Sequence, residues 1–135
     1  MSTPAEDTVA RSPLFQSLSA RERRALAESL TERRFAAGHQ ISSEEVGGIG
    51  FFLIAEGTAT VSVGGDVKGT LGPDDHFGEM ALITGKTRSA TVVADTDMLT
   101  FVLSRWHFKP LVMDHPEIAW ALLEQLANRV RENQV

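Results

Sequence analysis

The sequence predicts an α+β domain in which an antiparallel β-barrel lies between an N-terminal helical segment and two C-terminal helices. From about Ile41 to Leu103 the apolar segments are short, rich in β-branched and aromatic residues and separated by glycines. On either side of that region, apolar residues recur at the intervals of a helix. The chain has 135 residues, of which 42% are hydrophobic, enough for one domain with a core. We expect a flexible segment over 1–12 and the domain over 13–135.

The N-terminal helical segment is predicted from about residue 14 to residue 34. Ser19 and Glu22 have the S-x-x-E spacing of a capping box, in which each side chain bonds the other residue's amide. Leu26 and Leu30 then lie on one face of the helix.

The central region contains at least four short strand patterns. These are GFFLIAEG (50–57), TATVSV (58–63), SATVVAD (89–95) and MLTFVL (98–103). The second alternates between polar and apolar residues, as a half-buried strand does, and the glycines that follow it predict a tight hairpin. Several short strands at this spacing are typical of a sandwich or barrel.

Two helices are predicted at the end of the chain. Ser104 is placed to cap a helix from Arg105 to Met113, and Pro116 opens a second one. Trp106 and Trp120 fall on these helices and are expected to pack inside. The second helix has one predicted apolar face, made of Ala119, Leu122, Leu123, Leu126 and Val130.

Composition argues against several classes of protein. The formal net charge is −5, whereas proteins whose main task is to bind DNA are normally basic. Without cysteine there is no disulfide framework and no thiolate zinc site. No apolar run approaches the length of a membrane span, and the polar, acidic start is unlike a signal peptide. We expect a cytoplasmic protein with no membrane span, and no nucleic acid bound by this chain itself.

No catalytic or metal-binding constellation is predicted. Gly85, Lys86 and Thr87 imitate the end of a P-loop, but the first glycine of that motif is replaced by Met80. The four histidines lack the spacing of metal ligands on a helix and are expected to be surface or turn residues. We therefore expect no enzyme activity, no metal and no cofactor.

The segment 77–91 carries the candidate chemistry, because it is longer than an ordinary hairpin connection. Gly78 allows a sharp turn, and the residues from Glu79 to Leu82 favour a helical turn whose free amides form an anion site. Arg88 would add a bidentate contact to a phosphate. Glu79 beside an anion requires a hydrogen-bond donor, such as a ribose hydroxyl.

The motif Phe-Gly-Glu-Met-Ala-Leu-Ile, followed by Arg-Ser-Ala-Thr, resembles the phosphate-binding cassette of cyclic nucleotide-binding domains. Arg88 lies nine positions after Glu79. This family includes kinase regulatory subunits, cyclic nucleotide-gated channels and catabolite activator proteins. The resemblance extends from about Leu14 to Glu132 and implies a barrel of the jelly-roll, double-stranded β-helix type. One departure is Thr87, where the family usually has proline.

The resemblance also implies roles for individual residues. Glu79 would accept a hydrogen bond from the ribose 2′-hydroxyl, and Arg88 would pair with the cyclic phosphate. Arg129, on the closing helix, would cap the base. The alternative is that Arg129 is an ordinary surface arginine. The rest of the cradle would come from the amides of Gly78, Met80, Ala81 and Ala90 and the Ser89 hydroxyl, with Val63 and Met80 as apolar walls.

These features lead us to expect a regulatory sensor that binds cAMP, with cGMP as the alternative, and whose C-terminal helix acts as a lid. An unidentified effector protein or domain would respond to the nucleotide-bound state. The chain could also form a homodimer, a question that the sequence leaves open. One alternative is a degenerate barrel that binds protein and no nucleotide. Another is the sensor fragment of a catabolite-activator-type transcription regulator, whose DNA-binding module would have to lie beyond Val135.

Overall fold

The computed structural model describes residues 2–41, 50–85 and 90–133, except for the side chains of residues 80, 81, 129 and 133. A 3₁₀ turn at Pro13–Phe15 follows the first of its helices. The helices are α1 (Pro4–Arg11), α2 (Ala20–Glu28), α3 (Glu79–Thr84), α4 (Arg105–Asp114) and α5 (Pro116–Asn133). The strands are β1 (Thr31–Phe35), β2 (Gln40–Ile41), β3 (Gly50–Glu56), β4 (Ala59–Val63), β5 (Asp66–Leu71), β6 (His76–Phe77), β7 (Ala90–Ala94) and β8 (Met98–Ser104).

The strands form two antiparallel sheets of four. The first has the order β1-β8-β3-β6 and the second the order β2-β7-β4-β5. The predicted antiparallel strands between terminal helices are confirmed, but in the described residues the hydrogen-bonded ladder does not close into one barrel. A double sheet protects its inner faces by stacking, so closure is not needed to bury them.

Strand β3 is apolar throughout because it separates two cores. Phe51 and Leu53 belong to an apolar cluster with the helices, whereas Phe52 and Ile54 belong to a cluster between the two sheets. Successive side chains of a strand point to opposite faces, which explains why four consecutive large residues are all buried. The domain is therefore layered as helices, first sheet and second sheet.

The N-terminal region differs from the prediction in two places. Residues 4–11, expected to be flexible, form α1, which Thr3 caps and Pro4 begins, while Val9 anchors the helix in the helical core. The helix predicted to continue to residue 34 ends at Glu28, because residues 31–35 instead pair with β8 as a strand. Pairing with a central strand outweighs the weak helical preference of these residues.

Capping residues behave as predicted at both ends of the chain. Ser19 and Glu22 form the reciprocal capping box of α2, and the Ser104 hydroxyl caps α4 by accepting from the His107 amide. The hairpin between β4 and β5 turns at Gly64 and Gly65. Local polar signals of this kind fix the ends of elements whatever surrounds them.

The apolar side chains of α4 and α5 are less buried than predicted. Trp106 and Trp120 are 82% and 63% exposed, so the expectation that they pack inside is wrong. Leu123 and Val130 are also exposed, and the buried face of α5 is formed by Ile118, Ala121 and Leu122. The helix thus carries apolar residues on two faces, of which the domain buries one.

Candidate functional site

A tight turn at Gly78 starts the candidate site. Its φ of 92° lies in the left-handed region, and a Cβ added there would lie 2.5 Å from the carbonyl oxygen of Gly50. Any side chain at this position would collide with β3. The turn is fixed on its other side by β6, where Phe77 pairs with Phe52 and their rings stack at 4.6 Å.

Helix α3 begins directly after this turn. The amide of Leu82 donates to the carbonyl of Gly78 at 3.1 Å, so the amides of residues 79–81 precede the first intrahelical hydrogen bond. Leu82 itself is buried in the helical core. The predicted helical turn is confirmed, and α3 is held at its start by backbone and in its middle by packing.

The carboxylate of Glu79 is buried at the start of α3. The residue is 3% exposed, although an ionised carboxylate in such a position requires polar partners. The Oε2 atom of Glu79 lies 3.5 Å from Nδ1 of His76. This distance is short enough for an ion pair. Nδ1 of His76 is nevertheless buried and has no hydrogen-bond partner. The two side chains are therefore close neighbours that are not hydrogen-bonded to each other through Nδ1 of His76.

The segment between β6 and β7 connects the two sheets. Phe77 ends in the first sheet, whereas Ala90 begins a central strand of the second. Ala90 is paired with Val63, at the end of β4. The structure therefore brings Val63 and Ala90 together, and Val63 is sufficiently exposed to contact a ligand.

Several predicted site residues lie outside the described residues. Arg88 and Ser89 belong to 86–89, and the side chains of Met80, Ala81 and Arg129 are not described. The backbones of residues 80 and 81 lie in the first turn of α3, and that of residue 129 lies in the second half of α5. The roles expected of these side chains stay predictions.

His76 lies beside Glu79 at the candidate site, which its sequence pattern does not predict. It was interpreted as a surface or turn residue, but its side chain is 11% exposed and its ring contacts that of Phe51 at 5.4 Å. The available signal was its position three residues before Glu79, which is informative only once β6 is known to lie against β3.

Among the described residues, no group of three or more histidine, aspartate or glutamate side chains could hold a metal ion. In the same ranges, no helix is both long enough and apolar enough to cross a membrane.

Comparison with known proteins identifies the family. Residues 32–115 match the family model for the cyclic nucleotide-binding domain. A cAMP-dependent protein kinase regulatory subunit of Mycosarcoma maydis is 42% identical over 86 residues, which are 61% of this chain and 16% of that protein. The chain spans less than a third of the length of the curated relatives it matches.

Solved structures agree with this assignment. The catabolite activator protein of Thermus thermophilus superposes with a TM-score of 0.80 at 30% identity, covering 90% of this chain and 60% of that one. The structure of cAMP-bound PfPKA-R gives a TM-score of 0.74 at 28% identity, covering 96% of this chain and 46% of that one. With its two antiparallel sheets, its buried Glu79 and its match to the family model, the chain belongs to the cyclic nucleotide-binding domain family.

Proposed function

We propose that this domain binds cAMP at the segment 77–90 and acts as a regulatory sensor without catalysing a reaction. cGMP is the alternative ligand. Support for cAMP comes from the cAMP-bound neighbour and from the relative that is a cAMP-dependent kinase regulatory subunit.

The burial of Glu79 is the observation that carries this proposal. Glu79 is 3% exposed and directly follows the turn, where its carboxylate could accept a hydrogen bond from a hydroxyl of a ribose bound against that turn. The turn at Gly78 has no side chain, so a ligand can approach the backbone closely. Glu79 would accept from the ribose 2′-hydroxyl.

The phosphate would be held by the other half of the segment. Arg88 would provide a bidentate pair, with the Ser89 hydroxyl and the amides of Gly78, Met80, Ala81 and Ala90 completing the cradle. Val63, exposed next to Ala90, and Met80 would form apolar walls for the base. Arg129 on α5 would cap it.

The ligand would act on the rest of the protein through α5. A lid that closes on nucleotide shifts the population of its conformers, which an effector can read. The effector is unidentified, and the cytoplasm is the proposed location. No nucleic acid contact by this chain is part of the proposal.

A homodimer is the second part of the proposal, and the exposed face of α5 supports it. Trp120, Leu123, Ala127 and Val130 follow one another at intervals of three, four and three residues. This spacing makes an apolar seam to which a second copy of the same helix is complementary. Leu123→Glu should give a monomer in sedimentation equilibrium, while Glu124→Gln on the next position should not. A wild-type protein that is monomeric at high concentration would contradict this part.

Calorimetric titration with cAMP and cGMP tests ligand binding. Arg88→Ala should weaken cAMP binding by about 2–4 kcal/mol, and Arg88→Lys should not restore it, since an ammonium cannot reproduce the two parallel bonds. Arg24→Ala, which removes an exposed arginine from α2, is the matched control. If Arg88→Ala folds and binds like the wild type, the proposed site is wrong.

The alternatives give different outcomes. A degenerate barrel that binds only protein would bind neither nucleotide in the same titration. A transcription-regulator fragment would bind cAMP, and a longer form of the protein would then bind DNA. Appearance of AMP in proportion to purified protein would contradict the proposed lack of catalysis.

A further inference from the structure

The first residue of α4 makes a contact that the helix itself does not explain. Arg105 follows the cap Ser104 directly, and the first turn of α4 contains no acidic residue. A positive charge at the amino end of a helix is disfavoured by the helix dipole. The position is therefore a poor one for arginine unless the side chain serves another element.

The guanidinium of Arg105 lies instead over the carboxyl end of α3. Its Nε donates to the carbonyl oxygen of Leu82 at 3.1 Å, and an Nη donates to that of Ile83 at 3.4 Å. The last carbonyls of a helix have no intrahelical donor, and a cation there is favourable to the dipole. Arg105 thus supplies donors and charge where α3 needs both.

Gly85 makes room for this arrangement. It follows the last residue of α3 with a φ of 76°, and an added Cβ would lie 3.1–3.3 Å from three guanidinium atoms of Arg105. The guanidinium therefore packs against the bare backbone that ends the helix. Leu82 adds an apolar contact, because it shares the helical core with Leu111 of α4 and Ile118 of α5.

We propose that Arg105 is a positioning residue, which fixes the carboxyl end of the cassette helix and ties its movement to that of α4. This inference rests on the proposed function only in taking cAMP as the ligand, and the anchoring of α3 does not depend on it. Because α3 has only six residues, two hydrogen bonds at its end hold a large part of it. A movement of α3 on binding nucleotide must carry Arg105 with it or break these bonds.

Amide exchange in the ligand-free protein tests the anchoring, whatever the ligand. Arg105→Met keeps most of the apolar side chain and removes the donors, so residues 79–84 should exchange faster. In Arg105→Lys, the exchange rate of residues 79–84 should lie between those of the wild type and Arg105→Met, since one ammonium can reach one carbonyl. Lys109→Met removes an exposed charge from the same helix and should leave α3 unchanged. Unchanged exchange of α3 in Arg105→Met would overturn the proposal.

Titration with cAMP tests the coupling. We expect Arg105→Met to bind about 5- to 30-fold more weakly than the wild type, within the usual range of coupling between sites. In the wild type and in Lys109→Met, saturating cAMP should protect both α3 and α4. In saturated Arg105→Met, protection should persist in the cassette and be reduced in α4, a split that lost stability alone does not produce. Equal protection of α4 in all variants would overturn the coupling. A wild type that binds no cAMP refutes the proposed ligand, while faster exchange of α3 in Arg105→Met would still support the anchoring.

Discussion

Nδ1 of His76 lies 3.5 Å from Oε2 of Glu79, with both side chains almost entirely inside the protein. The His76 ring also contacts that of Phe51, with the ring centroids 5.4 Å apart. A shift of a few tenths of an ångström would bring the pair within hydrogen-bond range. A buried imidazole three residues before Glu79 in the chain thus lies beside the Glu79 carboxylate.

The role of Glu79 predicts how its removal affects ligands that differ at the ribose. Glu79→Ala should weaken cAMP binding by about 1.5–3 kcal/mol, because a hydrogen bond to a charged group is lost. The 2′-deoxy analogue of cAMP should bind the wild type more weakly than cAMP does, but it should lose little further in Glu79→Ala. Calorimetry of the four combinations measures this coupling. If the two losses are independent and simply add, Glu79 does not contact the 2′-hydroxyl.

The close approach of Gly78 to Gly50 predicts a large effect of one methyl group. Gly78→Ala should destabilise the fold by about 1–3 kcal/mol, because its φ is positive and the new Cβ would overlap a carbonyl oxygen. Gly69→Ala is the control, since a Cβ there meets nothing within 4 Å. Urea unfolding of the two variants gives the comparison. Equal midpoints for Gly78→Ala and Gly69→Ala would mean that the turn relaxes without strain.

The end of α5 is predicted to become ordered when nucleotide binds. Its last turns carry few apolar groups buried within the domain, so in the monomer, for example in Leu123→Glu, they should exchange readily without ligand. We expect cAMP to raise amide protection over 126–132 as well as in the cassette. Truncation after Gln125 should weaken binding by about 1–2 kcal/mol, through the loss of one stacking or hydrogen-bonding cap, with the sheets intact. Protection limited to 77–90, together with full affinity after truncation, would exclude α5 as a lid.

The capping box of α2 predicts a pH dependence of stability. The hydrogen bond from the Ser19 amide, followed by contacts with Glu117, Ser19 and His115, holds the pKa of Glu22 below its ordinary value of 4.5. A carboxyl with a lowered pKa in the folded state stabilises the protein above its unfolded pKa. This contribution is lost as the pH falls through the lowered value. Glu22→Gln should therefore be less stable than the wild type at neutral pH, and the difference should disappear in acid.

Glu28→Gln provides the control for that measurement. Glu28 is exposed at the other end of α2, where the helix dipole disfavours a negative charge, so its neutralisation should not destabilise the protein. Chemical unfolding across the acidic range compares the two variants. A loss of stability in Glu22→Gln that is constant with pH would point to packing and away from the carboxylate.

Features encoded by short-range chemistry could be predicted from the sequence. The capping box at Ser19, the cap at Ser104 and the helical start after Gly78 each depend on residues within a few positions of one another. Their hydrogen bonds form locally, so distant parts of the chain do not alter them. The cassette was recognisable for the same reason, since its residues and their spacing lie in one segment.

Strand β1 could not be predicted, because nothing in its own residues identifies it. Four of its five residues are exposed, and only Phe35 is buried. It is a strand because β8 offers it a partner edge, with the Thr100 hydroxyl also donating to the carbonyl of Arg33. The sequence also does not reveal which side of α5 faces the core. A helix with two apolar faces shows the same periodicity whichever face is buried.

The burial of β3 on both faces leaves its alignment with β8 weakly determined by polarity. Shifting a strand by one residue exchanges its faces, and normally that moves polar groups into a core. Here the shift would exchange Phe52 and Ile54 for Phe51 and Leu53, which are similar in volume and equally apolar. Discrimination must therefore come from the ends of the strand, where Gly50 touches Gly78 and the pairing shifts between Ile54 and Glu56. The close approach of Gly78 to Gly50 at the start of the candidate site thus also gives the central strand a fixed point for its register.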